Sequence, residues 1–112
     1  MITYEDFEKV DIRIGKIVDA KDFSEALKPA IKLTIDFGSE IGIKQSSAQL
    51  VGAYTPEELI GKLVMGVVNF PPKQIGHFIS EVLTLGFKNV EGSGFVLAVP
   101  DKLSVELGDK MR

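Results

Sequence analysis

The chain has no cysteine, no tryptophan, one histidine and only two arginines in its 112 residues. Without cysteine there is no disulfide, no thiolate nucleophile, no zinc knuckle and no iron–sulfur ligation. A single histidine, His77, removes every histidine-cluster metal site and leaves one imidazole for any chemistry. Cations are also in deficit: 13 Lys+Arg against 16 Asp+Glu give a formal net charge of −3. A globally basic nucleic-acid coat is thereby excluded, and any nucleic-acid role must rest on a local patch. No stretch approaches the roughly 18 apolar residues that span a bilayer. The start, Met1 to Asp6, has neither a basic region nor an apolar run, so neither a signal peptide nor membrane insertion is expected. A cysteine-free composition suits a reducing compartment, and a cytoplasmic location is the expectation. What is present, 45% hydrophobic and 26% charged residues, is the make-up of an ordinary globular domain. At this length one domain over residues 1–112 is expected, burying roughly two-thirds of the surface exposed when unfolded.

The hydrophobic pattern is mainly period two. Thr3 is a candidate N-cap with Glu5 and Asp6 in the first turn of a short helix, whose Phe7, with Tyr4 or Val10, faces a core. From Val10 the apolar residues alternate through Ile12 and Ile14, then slip parity at Gly15-Lys16, which predicts a strand bulged and bent at the glycine. Ile31, Leu33, Ile35 and Phe37 alternate with Lys32, Thr34 and Asp36 as a half-buried strand. Residues 41–48 read as a third strand, polar toward its end. Thr55-Pro56-Glu57-Glu58 opens a short helix closed by Gly61. The apolar run 62–70 reads as a central strand that Pro71-Pro72 terminates, followed by a loop from Lys73 to Ser80. Strands are expected over 81–87 and 95–99, and a last short one near 103–107 before a Gly108-Asp109 turn. Five or more strands with a helix between the third and fourth suit a five-stranded all-β barrel of the oligonucleotide/oligosaccharide-binding (OB) kind, with short helices and extra terminal elements.

No catalytic set emerges from these residues. There is no G-x-S-x-G elbow and no phosphate-binding glycine loop, and Ser93 lies in a Gly92-Ser93-Gly94 turn. Glu57-Glu58 suit a helix first turn. Two stretches point instead to binding. Between Asn69 and Ser80, the residues Ile75, Phe78 and Ile79 occupy a segment rich in Pro and Gly; they either fold back on the core or form an exposed apolar patch for a partner. His77 would be a tip contact there. The polar word Lys44-Gln45-Ser46-Ser47 is either an edge strand kept soluble or a row of donors and acceptors for a peptide backbone, phosphate or sugar.

Several of these words resemble one family. Ile43-Lys44-Gln45-Ser46-Ser47-Ala48-Gln49, Val67-Val68-Asn69-Phe70-Pro71-Pro72, and Phe78 with Ser80-Glu81-Val82-Leu83 resemble the CsaA family. Asp11-Ile12-Arg13-x-Gly15 and the stretch from Pro29 to Gly38 are similar to it as well. CsaA proteins are small homodimeric chaperones described for protein export, built on the tRNA-binding domain shared with the C-terminal module of bacterial methionyl-tRNA synthetase. The resemblance runs from Phe7 to the final residues. It implies an OB-type barrel, a homodimer, and binding of either unfolded or presecretory polypeptide or tRNA, with no cofactor and no ATP. Gln45, Ser46, Ser47, Asn69, Lys73, Ile75, His77, Phe78, Ile79 and Ser80 are the candidate binding residues, with Lys32, Lys44 and Lys73 as candidate phosphate contacts.

The basic middle of the family's loop is weak in this chain. Where relatives carry two adjacent basic residues it has Lys73-Gln74, then Gly76-His77, and Ile79 stands where Lys is frequent. Lys73 is the one fixed positive charge of that loop. Phosphate contacts dominate nucleic-acid affinity, and arginine is the preferred partner for them, so this departure favours polypeptide over tRNA.

Overall fold

The clearest alternation in the sequence becomes the centre of the core. In a computed structural model, which describes residues 1–24 and 26–112, Ile31, Leu33, Ile35 and Phe37 are all buried. They belong to β2 (Ala30–Asp36) or follow it directly. The other strands of the main sheet are β1 (Ile12–Phe23), β3 (Ile43–Ala48), β4 (Leu63–Val67) and β7 (Leu83–Thr84). They form an antiparallel sheet of order β3-β2-β1-β4-β7. The sheet curls so that its two ends meet. At that seam the Ser46 hydroxyl of β3 bonds to the Val82 carbonyl (3.0 Å) and the Thr84 hydroxyl (2.8 Å). The architecture is the expected five-stranded OB-type barrel, with α3 (Pro56–Leu59) between its third and fourth strands. Thr55 and Glu58 form a reciprocal capping box on that helix, which fixes its start.

β1 serves both halves of the sheet, pairing with β4 through its first part and with β2 through its second. Its register with β4 runs unbroken through Gly15 and Lys16, and the shift falls between Ile17 and Asp19. The bend is therefore a bulge at Val18 and not at Gly15. Gly15 is an inward position whose missing side chain is filled by its neighbours: a Cβ there would lie 2.5 Å from Ile35 Cγ2 and 2.8 Å from the Phe37 ring. Gly66 on β4 meets the same ring, so Phe37 seats in a gap left by two glycines. Ile12 and Ile14 consequently face the opposite, outer side of the barrel.

Three further expectations are corrected at the chain's ends and in its loops. The first helix, α1 (Tyr4–Glu8), has the predicted Thr3 cap, closed as a capping box with Asp6, but buries little. Phe7 is half-buried, whereas Tyr4 and Val10 are exposed. Glu40 belongs to a single helical turn, α2 (Gly38–Ile41), so the third strand starts at Ile43. No strand forms over 103–107, where Leu103 and Val105 are exposed. The tail pairs later: Gly108 and Met111 donate to the Ile14 and Ile12 carbonyls, and Ile14 donates to Asp109. Residues 108–111 thus fill the edge of β1 that β2 leaves free.

Candidate functional site

The segment expected as a loop from Lys73 to Ser80 is a hairpin. β5 (Lys73–Ile75) and β6 (Phe78–Ser80) pair with Ile75 opposite Phe78, leaving Gly76-His77 as a two-residue turn. Gly76 takes φ +61°, the left-handed value required at the first turn position. Strands of three residues are too short for alternation to announce them, but Gly-X between apolar residues was the available signal. Phe78 folds back and packs on Phe23 with ring centroids 5.3 Å apart. Lys32 Nζ lies 4.6 Å from the Phe23 centroid and 5.5 Å from that of Phe78, a cation over two rings. Phe78 and Lys32 therefore anchor the hairpin. Ile79 is exposed and His77 forms the exposed tip.

At the end of the hairpin, Ser80 and the following Glu81 latch onto β3. The Ser47 amide donates to Ser80 Oγ (3.0 Å), and the Gln45 amide to Glu81 Oε1 (3.0 Å). The Glu81 amide donates back to the Gln45 carbonyl (2.8 Å), and Lys44 Nζ lies 4.0 Å from Glu81 Oε2. The outer edge of β3 is thereby occupied at the positions expected to bond a peptide backbone. Ser46 is fully buried at the barrel seam, so the row of outward donors and acceptors expected over Lys44-Gln45-Ser46-Ser47 is broken there. Asn69 is also a structural clamp. Its side-chain oxygen accepts from the Asp11 amide (3.0 Å) and its NH2 donates to the Lys9 carbonyl (2.7 Å), tying the approach to β1 onto the end of β4.

Between the hairpin and the connection leading into β2 lies an open groove of about 1000 Å³. Leu27, Phe70, Pro71, Ile75, Val82 and Leu83 give it an apolar wall. Ser47, Gln49, Gln74 and Ser80 supply polar points, and Lys28, Lys73 and Glu81 the charge. Of the residues singled out from sequence, Ser47, Lys73, Ile75 and Ser80 line this groove. Gln45, His77, Phe78, Ile79, Lys32 and Lys44 stand around it without lining it. Leu27 was missed as a lining residue, although it is a large apolar residue in a polar connection, and Phe70 joins it on the groove wall. Leu27 is fully exposed and Phe70 is 52% exposed, a surface signature of a partner site.

Both guanidinium groups lie elsewhere. Arg13 forms a two-pronged pair with Asp11 (2.6 and 3.3 Å), reaches Glu40 (3.3 Å) and donates to the Gly108 carbonyl (2.9 Å). Its hydrogen bond to Asp11 holds its pKa above the ordinary arginine value. Arg112 pairs with Asp109 at 2.6 Å. A second apolar surface, about 430 Å³ in volume, lies on the outer face of the barrel between Ile12, Ile14, Met65, Phe87, Val99 and Met111.

Comparison with known proteins agrees with this architecture over its whole length. Residues 12–110 match the family model described as a putative tRNA-binding domain. A CsaA chaperone protein from Picrophilus torridus is 54% identical and superposes with a TM-score of 0.91, each chain covered completely. Chaperone CsaA from Bacillus anthracis is 48% identical with a TM-score of 0.89, over 100% of this chain and 99% of that one. Among longer relatives, methionine–tRNA ligase from Pyrococcus horikoshii is 38% identical over 99% of this chain, which spans 14% of that protein. The family is thus one of binding domains, found alone in the chaperones and as a small part of the ligases. This chain belongs to the CsaA branch of the tRNA-binding-domain family.

Proposed function

We propose that the protein is an export chaperone of the CsaA kind, a cytoplasmic homodimer that holds unfolded or presecretory polypeptide without ATP. The groove carries this reading: it is concave, mostly apolar and furnished with a few polar points, as ligand sites are. Leu27, Phe70 and Ile75 take up apolar side chains of the client, and Ser47, Gln49 and Gln74 bond its polar groups. Because Ser80 and Glu81 already occupy the edge of β3, the client lies in the groove by its side chains and does not extend the sheet as an added strand. The outer face around Ile14, Met65 and Phe87 is the surface on which two copies pair.

The alternative is recognition of structured tRNA, which the family match favours. Against it stands the engagement of both arginines in ion pairs with carboxylates, which leaves lysines to meet phosphate. Parallel titrations of an unfolded presecretory polypeptide and of bulk tRNA, repeated across salt, separate the two. Polypeptide binding that barely responds to salt and is lost on Phe70→Ala supports the chaperone reading. Tight tRNA binding with a steep salt slope, left intact by Phe70→Ala, would refute it.

A further inference from the structure

We infer that the groove selects its clients by charge: it takes apolar segments flanked by acidic residues, and Lys28 with Lys73 makes the selection. This deepens the polypeptide-holding reading and rests on it. The two lysines come from separate segments, Lys28 from the connection before β2 and Lys73 from the first position of β5, and both are exposed on the groove lining. Neither forms an ion pair with a described residue. Each adjoins the apolar wall in sequence, Lys28 directly after Leu27 and Lys73 two residues before Ile75. The matching client motif is an apolar side chain with a carboxylate beside it.

Glu81 is the one carboxylate among the described lining residues, and its charge is already answered. One oxygen accepts from the Gln45 amide and the other faces Lys44. It can leave neither partner for a cationic client without opening the latch on β3. The groove therefore presents two lysines without an ion-pair partner among the described residues, above an apolar floor, in a protein whose net charge is −3. An exposed lysine–carboxylate pair is worth about a 1.4- to 5-fold gain in affinity, so two pairs multiply to about 2- to 30-fold at low salt. Basic flanks are penalised in the same proportion. The basic start of a signal peptide is accordingly disfavoured in this groove. The segments held are acid-flanked apolar stretches elsewhere in the client.

The test uses the full chain and three peptides with one shared apolar core and flanks of Gln, Glu or Lys, titrated calorimetrically. At low salt the Glu-flanked peptide should bind about 2- to 30-fold more tightly than the Gln-flanked one, with the Lys-flanked one weakest. In about 1 M salt, where the screening length falls to about 3 Å, the three should converge. The double variant Lys28→Glu/Lys73→Glu should invert the order of the Glu- and Lys-flanked peptides. Equal binding of all three peptides at low salt overturns charge selection and leaves the holding role standing. Failure of the Gln-flanked peptide to bind, or indifference of its affinity to Phe70→Ala, overturns the holding role itself. If bulk tRNA displaces the Gln-flanked peptide, and the double variant abolishes that displacement, the lysines serve phosphate and the proposal fails.

Discussion

Replacing Ser46 by alanine separates a structural hydroxyl from a binding one. The side chain is fully buried, opposite Leu33 across the β2–β3 pair, and its oxygen joins the Val82 carbonyl and the Thr84 hydroxyl. Two hydrogen bonds contribute about 1 kcal/mol each, and a carbonyl left unpaired in the buried Val82 region adds about 1 more. The half-buried Thr84 hydroxyl can turn to water, so the total is about 2 to 3 kcal/mol. For a domain just above 100 residues that lowers Tm by about 8 to 12 °C. The measurement is thermal unfolding by circular dichroism at one fixed protein concentration, so that any association bears equally on both proteins. A parallel titration with an apolar peptide should show unchanged affinity at a temperature where both proteins are folded. A Tm within about 2 °C of the parent, a small fraction of the expected shift, together with lost peptide affinity, would mean that the hydroxyl meets the ligand and that the seam is held by something else.

Three other outcomes follow from the same geometry. Gly15→Ala places a methyl 2.5 Å from Ile35 Cγ2 and 2.8 Å from the Phe37 ring, and should cost about 1 to 3 kcal/mol in chemical denaturation; an unchanged midpoint would show that Phe37 moves aside freely. Phe87 is 69% exposed beside Ile12, Ile14 and Met65, so Phe87→Glu should convert a dimer to a monomer in light scattering without altering the far-ultraviolet spectrum. A persistent dimer would place the pairing surface elsewhere. The Asp6 carboxylate accepts the Thr3 amide and sits near Lys9, which hold its pKa below the ordinary aspartate value. Its support of α1 is present above the unfolded value of 3.8 and is lost as pH falls through the lower folded value. Amide chemical shifts of Thr3 and Asp6 should follow one titration in that acid range, and a titration at or above 3.8 would contradict the cap.

Local chemistry was legible in the sequence, and contacts between distant segments were not. The alternation of β2, the Thr3 and Thr55 caps and the proline stop after β4 each depend on neighbours a few residues away, and each appears as expected. The partners of Ser46 and Asn69 lie 36 to 38 and 58 to 60 residues distant, and no local pattern announces them. A row of three polar residues looked like one surface, yet strand parity turns Ser46 inward between Gln45 and Ser47. The slip at Gly15 was misplaced for the opposite reason. An inward glycine carries no hydrophobic signal, so the outer residues Ile12 and Ile14 set the parity that Ile17 then breaks. In the candidate site, the hairpin side was identified but its partner wall was not. Leu27 owes its position to Ala30 pairing with Phe23, a register that no hydrophobic pattern in the polar connection announces.

The acidic balance of the chain gains meaning from where its cations are placed. Arg13 binds Asp11 and Glu40 and joins three segments at one end of the barrel; Arg112 is held by Asp109. Lys44 faces Glu81, and Lys32 lies over two aromatic rings. Each of these interactions stabilises the hairpin, the tail or the barrel that shapes the groove. Lys28 and Lys73 are what the groove itself presents. Two phosphate contacts would release about two counterions and give a salt slope near −2, too shallow to dominate binding in the way nucleic-acid recognition requires. The same two charges beside an apolar wall are enough to rank peptides, because there the wall provides the affinity and the charges need only discriminate.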